Sequence, residues 1–306
     1  MTLSSAPKLP ARTSLVARAG IAFFALAFLF PSVASSQSVA PADASGPEVA
    51  AMKQLAASAS KAIHKAHLEN VMVMDFLGPS PKQFSLLGRK LADQLQAELA
   101  SDNSITLVDR KTLIEYQSQQ ALFIPDAIQP DPAEWIARQI SAKGFIVGTF
   151  EETQSGLALK ANVYASSKVK DVGILTATLP ETDELRALGK TSLNAAGDDH
   201  QAQLRKQSSQ PRTGTHGYSP AKCLFCPSPE YSEEARHKKV QATVTLAVTI
   251  SPEGSATNFQ VVHGYFYGLN QKAIETVGSW RFDPSTGPQG DAAEAHQMVE
   301  LTFHLY

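Results

Sequence analysis

Cysteine is nearly absent: two in 306 residues, both inside the stretch Cys223-Leu224-Phe225-Cys226. No disulfide framework can hold such a chain, so its folding must rest on buried apolar surface. Neither sign of charge is in excess, since 27 Lys and Arg face 29 Asp and Glu for a net charge of -2. That balance removes the broad basic field on which nucleic-acid binding depends. A phosphate-cradling G-x-x-x-x-G-K-[ST] loop is missing, and so is a G-x-S-x-G nucleophile elbow; Gly78, Gly88 and Gly144 do not stand at a phosphate-binding spacing. An apolar run of the roughly 20 residues needed to span a bilayer is missing too. These absences leave little footing for catalysis, and neither an enzyme nor a bound cofactor or metal is expected.

What is present is a globular composition, 43% hydrophobic and 18% charged, in a chain long enough for two ordinary domains. The N-terminus places Lys8, Arg12 and Arg18 before the apolar segment Ala19 to Phe30, then Pro31 and small residues to Ser36. This basic, apolar, small-polar order is that of a secretory signal peptide over residues 1–36, with Gln37 as the mature start; a retained short anchor is the alternative. No cysteine stands near the boundary to carry a lipid. Export predicts a periplasmic protein, and an oxidising compartment in which Cys223 and Cys226 pair as a disulfide. A thioredoxin-type redox pair would need the C-x-x-C to open a helix, which Pro220 and Pro227 disfavour, and one pair alone cannot complete a structural zinc site.

Residues 37–69 read as a Ser/Ala-rich spacer followed by a helix from Val49 to Leu68; His64 and His67 lie three apart on it, a metal-compatible spacing without accompanying ligands. Residues 70–180 alternate strands and helices. Asn70 to Leu77 is a strand, and Phe84, Leu87, Leu91, Leu95 and Leu99 mark an amphipathic helix. Further strands are expected at Ser104 to Val108, Gly144 to Glu151, Leu157 to Tyr164 and Val172 to Leu179, with helices at Lys111 to Phe123 and Ala133 to Ala142. The fold class is therefore α/β with a mixed sheet. The segments MDFLG, SLLGRKLADQL, VDRKTL and GFIVGTF resemble the N-terminal domain of TolB and the exported domains of flagellar and curli-associated proteins, a resemblance that implies docking rather than chemistry. Asp75 and Asp109 fall at strand ends, where an open α/β sheet places ligands, and are the only candidates for an enzyme reading. Residues 181–217, with a helical turn near Leu185 to Leu188 and then mostly Gln, Ser, Lys and Arg, read as a flexible linker.

Residues 218–306 have the pattern of a compact α+β unit. Ser232-Glu233-Glu234-Ala235-Arg236 is a capped helix turn, and Thr243 to Ile250 alternates as a half-buried strand. Ser251-Pro252-Glu253-Gly254 turns the chain into a second strand, Ala256 to His263. A helix follows from Leu269 to Ser279, and a last strand from His296 to Tyr306. The segments PSPEYSEEAR, QATVTLAVTISPEGSATNFQVV and GLNQKAIETVGSWRFDPS resemble the C-terminal domain of the TonB family. Two positions depart from it: Ala242 stands where the family usually has Gly, and Asn270 where it usually has Asp. The resemblance implies a three-stranded antiparallel sheet with two helices. It also implies capture of an extended peptide, from an outer-membrane transporter or another envelope protein, by strand addition at an unpaired edge. The expected edge is the last strand, with Gln297, Val299, Leu301, Phe303 and Leu305 along it. Transmembrane transport follows if the partner is a transporter, although Ala19 to Phe30 lacks the His that the family's anchoring helix carries. An envelope assembly adaptor that dimerises through the same edge, or one whose edge is covered by the N-terminal part, are the alternatives.

Overall fold

In the computed structural model, which describes residues 46–79, 83–167, 169–193 and 219–305, the N-terminal part is a four-stranded mixed sheet covered by helices. Strand β1 (Val71–Val73) runs parallel to β2 (Gly144–Thr153), and β2, β3 (Gly156–Ala165) and β4 (Lys170–Leu179) follow as an antiparallel meander. The signal-peptide reading of residues 1–36 lies outside the described residues. Among the described residues no helix is long and apolar enough to cross a membrane.

Helix α1 (Pro47–Lys65) starts on a proline, whose fixed φ suits the first turn, and carries Glu48 at its positive end with His64 and Lys65 at its negative end. It lays Met52, Leu55, Ala59 and Ile63 on the sheet. Helix α2 (Leu86–Leu99) is capped by Ser85, whose hydroxyl accepts from the Gly88 amide at 3.2 Å. The whole predicted periodic set, Phe84, Leu87, Leu91, Leu95 and Leu99, is buried. Gly88 lets α2 approach the sheet, since a Cβ there would lie 1.9 Å from the Phe76 carbonyl oxygen.

The strand expected at Ser104 to Val108 is reduced to a single bridge between Leu107 and Val71. Turn bonds occupy one end of that segment, with Ile105 N donating to Asp102 O at 3.0 Å, and α3 (Arg110–Gln119) begins immediately after the other. After a 3₁₀ turn at Pro125–Ile128 comes α4 (Pro130–Gln139). Helix α5 (Asp183–Lys190), capped by Thr182, falls where the linker reading begins; it buries Leu185, and Leu193 N then donates to Phe84 O at 3.0 Å.

In the C-terminal part the strand order is β11-β6-β7, all antiparallel, formed by β6 (Ala242–Ile250), β7 (Ala256–His263) and β11 (Ala295–Phe303). Helices α6 (Glu233–His237) and α7 (Leu269–Ser279) accompany this sheet. A short ribbon pairs β5 (Lys222–Phe225) with β8 (Arg281–Asp283), and β9 (Ser285–Thr286) pairs with β10 (Ala292–Ala293). The inward set of β6, Val244, Leu246, Val248 and Ile250, is buried as its alternation predicts.

The two parts share a hydrophobic core. Trp135 of α4 meets Phe266 and Tyr267, from the loop before α7, with ring centroids 6.2 Å apart in each case and near-perpendicular planes. Around these rings Lys238 pairs with Asp131 at 2.8 Å, Arg138 pairs with Glu234, and the Tyr265 hydroxyl donates to Asp126 at 3.0 Å.

Candidate functional site: an open sheet edge

The three-stranded sheet has two edges, and they differ. β7 meets β6 with two register irregularities, between Thr245 and Leu246 and between Ala247 and Thr249, and Asn258 within it adopts a left-handed φ of 51°. Such interruptions spoil a strand as a template for further pairing. β11 instead runs in unbroken register with β6 from Ala295 opposite Ile250 to Phe303 opposite Ala242. Among the described residues β6 is its only strand partner. Along its other side, alternate backbone amides and carbonyls face outward.

Side chains divide between the two faces of this strand. Val299, Leu301 and Phe303 are buried, and Phe303 meets the Tyr231 ring edge-on at 5.5 Å. Gln297 points the same way, and its Oε1 is shielded without a hydrogen-bond partner among the described residues. Leu305 lies beyond the strand, which ends at Phe303. Of the named positions, Val299, Leu301 and Phe303 therefore anchor the strand from within and pair with β6, while the outward backbone groups belong to the alternate residues His296, Met298, Glu300 and Thr302. The outer face carries His296, Met298, Glu300 and Thr302, of which Met298 is 53% exposed.

Of the other residues singled out by sequence, Asp75, His64 and the two cysteines have side-chain partners. Asp75 is 2% exposed and pairs with Arg110 and, at 3.1 Å, with Arg89. Arg110 also donates to Asp93 at 2.8 Å and to the Val73 carbonyl at 2.7 Å. Burial works against the charge of Arg110, but the carboxylates of Asp75 and Asp93 override it and hold its pKa above the ordinary value. Asp109 sits at the N-cap of α3 without a side-chain cap bond. The two carboxylates therefore form no common site: one neutralises a buried arginine and the other begins a helix. His64 and His67 do not converge either. His64 Nε2 bonds Asp102 Oδ2 at 2.8 Å, while His67 follows the helix with a φ of 50°. Hydrogen bonds from Ser104, His64 and Ser60 hold the Asp102 carboxyl well below the usual range. Among the described residues no cluster of three or more potential ligands could hold a metal ion. Cys223 and Cys226 are joined as a disulfide, Cα atoms 6.1 Å apart, with Leu224 and Phe225 exposed between them.

Asn270 is the residue that sequence reasoning undervalued. It is 3% exposed; its Oδ1 accepts from Tyr265 N at 2.8 Å, while its Nδ2 donates to Gln120 O at 2.9 Å and Gln120 Oε1 at 3.1 Å. The first bond secures the loop before α7 and the others fasten that loop to the end of α3. Gly264 permits the same approach, because a Cβ there would lie 1.9 Å from Gln120 O. An ionised aspartate could accept from Tyr265 but could not donate to Gln120. The amide therefore has a physical reason in this chain.

Residues 227–305 match the Gram-negative bacterial TonB protein C-terminal family. The match covers the whole of α6, β6, β7, α7 and β11, so the open edge belongs to the TonB-type segment. No curated protein matches the chain. Among solved structures, the C-terminal domain of LpoB from Salmonella enterica is 17% identical, with 43% of this chain and 97% of that one covered and a TM-score of 0.35. The C-terminal domain of TonB from Pseudomonas aeruginosa is 20% identical, with 28% of this chain and 88% of that one covered and a TM-score of 0.25. TolB from Acinetobacter baumannii is 10% identical, with 64% and 38% covered and a TM-score of 0.24.

Proposed function

We propose that this is a periplasmic binding protein of the cell envelope, not an enzyme, and that it captures an extended segment of an outer-membrane transporter or another envelope protein as a fourth strand beside β11. One observation carries the reading: a nine-residue strand in unbroken register, at the edge of a TonB-type sheet, with no second strand partner among the described residues. Main-chain hydrogen bonds along such an edge supply affinity irrespective of sequence, while alternate side chains supply selectivity. A long regular edge is an aggregation hazard that folded proteins usually blunt. Keeping it open, with Thr302 and the charged Glu300 on its outer face, fits a surface reserved for a partner.

Amide hydrogen exchange on the full chain tests this. A synthetic nine-residue peptide of alternating valine and threonine is expected to slow exchange at alternate amides of β11 while leaving β7 unchanged. Protection of β7, of β4 or of no strand would overturn the reading. If the same β11 amides become protected without peptide as protein concentration rises, a second copy is the occupant and the dimerising adaptor takes its place.

A further inference from the structure

The outer face of β11 also carries a pattern that would choose among strands. Met298 and Glu300 are two residues apart and so stand side by side on this face. Their neighbours on β6 leave them largely uncovered, since Ala247 lies opposite Met298 and Thr245 opposite Glu300. A methyl group cannot cover a methionine, and a threonine cannot neutralise a carboxylate. Met298 accordingly remains 53% exposed, and Glu300 is exposed without an ion pair among the described residues. On the β6 side these positions are filled by short residues. Only a strand added on the other side can bring long side chains beside them.

We propose that β11 selects an incoming strand with an aliphatic residue beside Met298 and a lysine or arginine beside Glu300, two residues apart on one face. This rests on the strand-addition reading above. Direct cross-strand neighbours have Cβ atoms about 5 Å apart, close enough for an apolar contact and an ion pair side by side. The spacing of two holds whether the partner runs parallel or antiparallel; only the order of the two residues changes. Thr302, one step further along the face, is engaged with Thr243 at 3.3 Å and adds no charge preference. His296, one step the other way, lies 3.1 Å from Thr249 and 3.9 Å from the Glu294 carboxylate.

The test uses fluorescence anisotropy with the full chain and labelled nine-residue peptides of alternating valine and threonine. One peptide carries leucine and lysine two residues apart on one face; a second has glutamate in place of that lysine. Each is made in both orders of the pair. The lysine peptide in its better order is expected to bind about fivefold tighter than its glutamate counterpart, a gap that narrows in high salt. In Glu300→Lys the preference should reverse. That variant changes an exposed side chain and leaves the β11–β6 ladder intact. Equal binding of the two peptides, or an unchanged preference in Glu300→Lys, overturns the selectivity while leaving strand addition standing. If none of the peptides binds, strand addition itself fails and the selectivity with it.

Discussion

Asn270→Asp replaces one side-chain atom and should undo the fastening between the two parts of the chain. In the native protein the amide accepts from Tyr265 N and donates twice to Gln120, at a site only 3% exposed. The variant keeps the first bond. It loses both donated bonds and turns a carboxylate oxygen toward the two oxygens of Gln120. Lost hydrogen bonds and poorly satisfied buried acceptors together cost roughly 2–4 kcal/mol, the upper end applying to the ionised form. For a chain of this size that corresponds to a melting temperature about 4–16 °C lower.

The protonation state supplies a control. The new carboxyl would have its folded-state pKa raised above an ordinary value of about 3.9, by burial and by the facing oxygens. A group so shifted leaves stability least affected below the unfolded value, and destabilises increasingly as pH rises toward and through the folded value. Calorimetry should therefore find Asn270→Asp close to the native protein at pH 3.5 and well below it at pH 7. Asn270→Ala, with no titratable group, should lose a similar amount at both. If Asn270→Asp unfolds within about 0.5 kcal/mol of the native protein at pH 7, or loses as much in acid as at neutrality, the role assigned to the amide is wrong.

Trp135→Ala removes the indole that packs on Phe266 and Tyr267, at a position 7% exposed. Urea titration should show a loss of about 3–5 kcal/mol, and a loss below about 1 kcal/mol would mean that the rings are not a working contact. Asp102→Asn addresses the cluster that ties α1 to the segment after α2. The native carboxyl is held below its ordinary value of 3.8, chiefly by bonds from Ser104, His64 and Ser60. Its stabilising effect is complete above that ordinary value and disappears as pH falls through the lower folded-state value. Thermal melts should accordingly separate native protein from variant at neutral pH and converge as pH falls below about 3.8. A constant separation through that range would count against the cluster.

Local periodicity made most of the elements readable. Phe84, Leu87, Leu91, Leu95 and Leu99 could define α2 because helical spacing puts them on one buried stripe, and Val244 to Ile250 could define β6 because a half-buried strand alternates. The segment Ser104 to Val108 misled for the same reason. Its residues suit a strand, but the turn at Asp102 and the helix beginning at Arg110 leave room for only one bridge to β1. The contact between the two parts was not legible as a pattern, because its pairs are far apart in sequence, Gln120 and Asn270 by 150 residues. Two local signs pointed toward it. Tyr265-Phe266-Tyr267 puts three aromatics in a loop, more than one small sheet readily covers, and Asn270 departs from the TonB C-terminal pattern that its segment resembles. With Gln120 as its partner, that amide is the donor that an ionised aspartate lacks.

The placement of that contact bears on whether the sheet edge is usable. The polar pairs and ring contacts between the parts come from α6 and the residue after it, the loop before α7 and the first turn of α7: Glu234, Lys238, Tyr265, Phe266, Tyr267 and Asn270. None of them lies on β11. The ring contact made by β11, between Phe303 and Tyr231, lies within the TonB-type segment itself. If the N-terminal part covered the edge, some of its polar groups would have to bond the β11 backbone, since buried amides and carbonyls do not go unpaired. No backbone bond of that kind joins them among the described residues. Fastening the two parts and adding a strand at β11 therefore draw on separate surfaces. Under the proposed strand addition, the chain would hold its N-terminal part fixed while presenting the edge to a partner.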